Sequence, residues 1–260
     1  MNSINVIEPI GLEPMIQQIQ AACKQAQIYN RCGEKPGPFI INLDAGSGQT
    51  TLTTYAAEMF YDAGIRPRNG RELFLEFTLD GTMSQLKTVI GEIKANAEYG
   101  NGYYDGLIGV DIAKLDSHLN EAQTALFCEV FEEISRHTTL LFYVPSSVSK
   151  STALLISKLR SAFGGNLQIV NLSPYTKEDM ADIVRRLIED TGTELEKDGE
   201  NDRSILCAVE SMGVKSVKDA KTLAKQLLCC ADFERIPPFL STDAIFQMLD
   251  KPVTRREVVK

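Results

Sequence analysis

A five-stranded parallel α/β domain followed by a small all-helical unit is the fold that the sequence predicts, on three observations. Five short apolar runs alternate with amphipathic segments, the strand signal stops at residue 171, and a glycine-containing turn joins the first run to a helical pattern. The runs are 38–43 (PFIINL), 72–77 (ELFLEF), 106–110 (GLIGV), 139–144 (TLLFYV) and 167–171 (LQIVN). All are rich in β-branched or aromatic residues and too short for a stable helix. Between them, Leu86, Val89, Ile90 and Ile93 fall at helical spacing after Ser84, and Leu126, Val130, Phe131 and Ile134 repeat the pattern. An amphipathic helix over 15–26 precedes the first run. Strands joined by crossover helices imply a parallel sheet covered on both faces.

Beyond residue 171, Pro174 with Lys177, Glu178 and Asp179 opens a helix running to about Asp190, and the polar stretch 191–202 reads as a loop. Helices are expected over 205–212, 217–231 and 243–249, with Pro237 and Pro238 interrupting the last two. The expected organisation is therefore 1–172 for the α/β domain, 173–250 for the helical unit and 251–260 for a tail.

The 260 residues, 43% hydrophobic and 24% charged, suffice for such a core. The net charge of −8 repels a phosphate backbone, so a nucleic-acid partner is not expected. Six cysteines (Cys23, Cys32, Cys128, Cys207, Cys229, Cys230) show no metal spacing and read as reduced thiols, with Cys229 and Cys230 expected to be buried in a helix. With only His118 and His137, a histidine-rich metal site is not available. Neither a signal peptide nor a membrane span is legible, and a cytoplasmic location is the expectation.

The segment carrying chemistry is Leu43-Asp44-Ala45-Gly46-Ser47-Gly48-Gln49-Thr50-Thr51, between the first strand and a helix. Small residues there let successive backbone N–H groups converge on phosphate, and the helix adds its positive end. Against the Walker A pattern G-x-x-x-x-G-K-[ST], Gly48 and Thr50 match; Leu43 stands at the first glycine and Gln49 at the lysine. The residues alone leave two readings open, a phosphate loop or an ordinary strand-to-helix turn.

The order of motifs resembles a known family. IGLEP near the N-terminus, FIINLDAGSGQTTL, AAEMFYDAGI, LIGVDIAKL, SKLRSAF and SPYTKEDM follow one another as in the AAA+ branch of red-type Rubisco activase and stage V sporulation protein K. The resemblance spans most of 9–230 and implies a five-stranded P-loop domain, a helical lid, a nucleotide (ATP or ADP with Mg2+) and ring-like assembly. Carried onto this chain, it gives Ile10, Gly11, Gly46, Ser47, Gly48, Gln49, Thr50, Thr51, Asp111 and Lys218 as the nucleotide-binding set. It makes Thr50 and Asp111 the metal ligands and places Arg160 at a subunit interface.

The same comparison shows where this chain departs. Gln49 replaces a lysine, Ile112 the glutamate that activates water, and Ala162 the second arginine of the finger element, while 78–83 carries no aromatic residue for a pore. Loss of one charge-assisted bond costs about 1.5–3 kcal/mol, and an arginine finger is worth roughly 10³–10⁵ in rate. The resemblance thus implies a pseudo-ATPase, acting within a homo-oligomer or beside an active AAA+ paralogue. The alternatives are a slow ATPase using Glu76, Asp80 or Asp116, and a nucleotide-free scaffold whose Leu43 and Gln49 pack inward. Lesser signals are the aromatic turn at 99–106, read as a tight Asn-Gly turn, and Lys215, Lys218, Lys221 and Lys225, read as a solvated face except at Lys218.

Overall fold

The computed structural model describes residues 9–29, 37–64, 72–76, 91, 107–112, 120–135, 138–145, 147, 150–164, 167–196 and 203–250. Outside them lie Cys32, His118, His137, the turn at 99–106, the stretch 78–83, the tail 251–260 and, apart from residue 91, the helix expected around 86–93. The chain divides into two compact units, Met1–Leu172 and Ser173–Lys260.

The first unit runs α1 (Glu13–Tyr29), β1 (Phe39–Asn42), α2 (Gln49–Asp62), β2 (Glu72–Glu76), β3 (Leu107–Asp111), α3 (Glu121–Ser135), β4 (Thr139–Val144), α4 (Lys150–Phe163) and β5 (Gln168–Val170). Its five strands are ordered β2-β3-β4-β1-β5 and every pairing is parallel. Central β3 and β4 are buried at every residue, which explains their unbroken apolar runs: with both faces covered there is no solvent side to alternate toward. Helix α3 begins with a reciprocal cap, Gln123 N–H donating to Asn120 Oδ1 at 2.9 Å and Asn120 N–H to Gln123 Oε1 at 2.8 Å. It packs Phe127, Val130, Phe131 and Ile134 into a core shared with Phe142 and Phe163, with Leu126 only partly covered. Phe127 and Phe131 lie 4.5 Å apart, and Phe131 meets Phe142 edge-on at 5.5 Å, a favoured aromatic geometry.

Asn42, the last residue of β1, closes the unit. Its Nδ2 donates to Leu172 O at 3.1 Å, and Leu172 N–H donates back to its Oδ1. One side-chain amide thus imitates a strand pairing and fastens the residue at which the chain leaves this unit.

The second unit contains α5 (Lys177–Glu189), β6 (Glu194–Leu195), α6 (Arg203–Met212), α7 (Val217–Leu228), β7 (Phe239–Leu240) and α8 (Thr242–Asp250). Two capping boxes start α5 and α7, Thr176 with Asp179 and Ser216 with Asp219. The helices enclose Met180, Val184, Ile188, Val209, Leu223 and Leu227. Two expectations are corrected. The unit is not all-helical, because β6 and β7 pair in parallel, Glu194 N–H donating to Pro238 O at 2.8 Å and Glu196 N–H to Leu240 O at 3.0 Å. Two-residue strands carry no period for a sequence to display. Nor are the paired cysteines buried in a helix: α7 ends at Leu228, leaving Cys229 exposed and Cys230 half-buried. The buried stripe of α7 is Ala220, Leu223, Ala224 and Leu227, and Cys229 falls off that face.

Candidate functional site

The 43–48 loop leaves the carboxyl end of β1, where ligands of open α/β sheets bind. Leu43 extends the sheet by one bond, its N–H donating to Val144 O at 2.9 Å, and is itself buried. The chain then turns sharply, Ser47 N–H donating to Asp44 O at 3.0 Å. Gly46 (φ 80°) and Gly48 (φ 95°) take left-handed conformations that residues with a Cβ adopt only at a cost. Gly48 is the N-cap of α2 and no side chain caps that helix. The first N–H groups of α2 have no carbonyl within their own helix, and a helix start of this kind, entered through left-handed glycines, suits an anion. Thr50 and Thr51 are exposed there, Ser47 is buried, and Gly48 is half-buried.

Gln49 does not reach outward. It is 4% exposed, and its Nε2 donates to Leu43 O at 2.7 Å, closing the base of the loop on itself. Its backbone carbonyl lies within hydrogen-bond reach of two hydroxyls, Thr53 Oγ1 at 2.9 Å and Tyr143 Oη at 3.1 Å, which themselves lie 2.7 Å apart. Tyr143 is wholly buried, and burial pushes its ionisation far above the usual phenol range, so it stays a neutral donor. Sequence reasoning passed over Thr53 and Tyr143. The signal was present: a tyrosine in the otherwise apolar end of β4 must find a partner for its hydroxyl, and Thr53 stands four residues after Gln49.

Asp111 ends β3, 3% exposed, in register between Glu76 of β2 and Tyr143 of β4. Ile112 follows it with N–H donating to Tyr143 O at 3.0 Å and a fully buried side chain that belongs to the same core cluster as Val110, Val144 and Leu155. The Thr50 hydroxyl and the Asp111 carboxylate are hard oxygen donors of the type Mg2+ takes together with waters and phosphate oxygens. No gathering of three or more His, Cys, Asp and Glu occurs among the described residues, so a metal held there would rely on that mixed shell.

The remaining candidates stand as follows. Ile10 and Gly11 are half-buried, and Gly11 N–H is engaged with Glu13 Oε1 at 3.0 Å. Arg160 is exposed on α4, whereas Ala162 packs against the core of the first unit. Lys218 is exposed in the first turn of α7, as are Lys215, Lys221 and Lys225 nearby.

No protein-family model matches the chain, and no curated protein matches it. Solved structures do. The Holliday junction branch migration motor RuvB of Thermotoga maritima aligns with TM-score 0.59 and 18% identity over 92% of this chain and 69% of that one. Two variants of the same protein align at TM-score 0.60, with 19% and 18% identity and the same coverage. The likeness lies in the backbone: this chain has the α/β fold of RuvB.

Proposed function

We propose that this chain is a catalytically degenerate AAA+ protein. It takes ATP or ADP weakly, with Mg2+, on the 43–51 loop, does not turn the nucleotide over efficiently, and serves as a structural or regulatory subunit of a homo-oligomer or of a complex with an active AAA+ protein. The observation that carries this reading is Ile112. At the position after Asp111, where hydrolysis needs a group to accept a proton from water, the side chain is 0% exposed and belongs to the core. Gln49 supports it, since its neutral amide is engaged with Leu43 O and supplies no charge to phosphate. Loss of such a charge weakens binding by roughly ten- to a hundredfold. In this reading 173–250 is the lid, 251–260 a tail, and Arg160 the group that a neighbouring subunit meets. RuvB is a motor on Holliday junctions, but a net charge of −8 argues against a nucleic-acid role here.

The test is a titration of the pure protein with ATP and ADP with and without Mg2+, followed by a phosphate-release assay. Binding without release is expected. Turnover at the level of ordinary AAA+ proteins, abolished in Asp111→Ala, overturns the reading. One observation favours a second reading, a nucleotide-free scaffold: Leu43 and Gln49 are both buried and bonded to each other. Absence of any thermal shift with either nucleotide and Mg2+ decides for the scaffold.

A further inference from the structure

We infer that Tyr143 is a positioning residue that fixes the start of the phosphate-loop helix against the end of β3, and with it the spacing of Thr50 and Asp111. The inference rests on the nucleotide reading above for its meaning, though not for its geometry. Tyr143 acts in two directions. Its backbone carbonyl accepts from Ile112 N–H at 3.0 Å, and its backbone pairs with Asp111 in the β3–β4 register. Its hydroxyl reaches the Gln49 carbonyl at 3.1 Å and the Thr53 hydroxyl at 2.7 Å. One residue thereby ties together the two segments that carry the oxygen donors, Gln49–Thr50 and Asp111–Ile112.

Proton counting shows why this is a fixed linkage. Tyr143 and Thr53 bring two hydroxyl protons to a triangle of three close contacts, so two contacts are satisfied at any moment and the third is a lone-pair contact. Every arrangement of the two protons leaves the Gln49 carbonyl with at least one hydroxyl donor. The triangle lies in a dry interior, Tyr143 at 0% and Thr53 at 2% exposure, where hydrogen bonds strengthen and broken ones are costly. Gln49 is held at both ends, its side chain to Leu43 and its carbonyl to this pair. The helix start therefore moves only if β4 moves with it.

The experiment compares Tyr143→Phe, Thr53→Val and Thr53→Ser with the wild type, using fluorescent ADP binding with and without Mg2+ and amide hydrogen exchange of the ligand-free proteins. Tyr143→Phe and Thr53→Val are expected to lower the Mg2+-dependent gain in ADP affinity by about three- to tenfold, the scale of one neutral hydrogen bond. They are also expected to speed exchange at Leu52 and Thr53. Thr53→Ser, which keeps the hydroxyl, retains both properties. A Tyr143→Phe protein with the wild-type Mg2+ gain and unchanged exchange overturns the inference, as does a Thr53→Ser protein as impaired as Thr53→Val. If the wild type binds no ADP while exchange responds as expected, the positioning role stands and the nucleotide reading fails.

Discussion

In the proposed reading, replacing Ile112 with glutamate supplies the residue type that hydrolysis would ask for at that position, and the structure predicts that it unfolds the protein instead. Ile112 is fully buried in the core cluster that also holds Val110, Val144 and Leu155. Removing it forfeits about 1.5–3 kcal/mol of apolar burial. A glutamate left in that place has its pKa raised by roughly 3–4 units, and at about 1.36 kcal/mol per unit this adds about 4–5 kcal/mol of destabilisation at pH 8, above most of that shift. The total of about 5–8 kcal/mol matches the whole stability of an ordinary domain, about 5–15 kcal/mol. The sign follows from linkage: with the folded pKa raised, the folded state holds its proton longer, so stability falls as pH rises from about 4 toward the folded value. Urea unfolding at pH 5 and pH 8, read by circular dichroism, should therefore show Ile112→Glu folded only at the lower pH. Ile112→Val should lose only about 0.5–1.5 kcal/mol at both. An Ile112→Glu protein within about 1 kcal/mol of the wild type at pH 8 refutes the argument, because the side chain then reaches water and is free to serve a nucleotide.

Gln49→Lys should tighten ADP and ATP binding about tenfold by adding a charge-assisted contact, while the ligand-free protein melts lower because an ammonium replaces a buried amide; titration and thermal denaturation check both, and no phosphate release should appear. Asn42→Ala removes both bonds to Leu172 and should cost about 1–3 kcal/mol in urea unfolding of the first unit. Ser216→Ala should cost the second unit about 1 kcal/mol through loss of the α7 cap. The Ser216 hydroxyl, then the Lys215 amide, hold the Asp219 carboxyl below its usual range. Its small contribution is therefore present above about pH 4 and lost as pH falls through the lowered folded value, so a pH series of the variant against the wild type should show the difference shrink in acid to what the backbone cap alone supplies.

The sequence by itself determined the alternation of strands and helices in the first unit. A buried parallel strand is an unbroken apolar run, and its covering helix a stripe at helical spacing, so both patterns are local. It also located the loop, since Gly46 and Gly48 stand where the backbone needs left-handed residues. It missed β6 and β7, whose pairing joins residues 194–195 to 239–240 across most of the second unit. It misplaced Cys229 and Cys230 as well, because only the packed face of α7 defines which residues are covered. At the site, sequence marked Gln49 and Ile112 as departures, but the tertiary structure decided what those departures became. Gln49 turns onto Leu43, Ile112 enters the core, and Tyr143, ninety-four residues from Gln49 in the chain, supplies the hydroxyl that holds the loop's helix. Such contacts depend on which strands lie side by side, and a one-dimensional pattern carries no record of that.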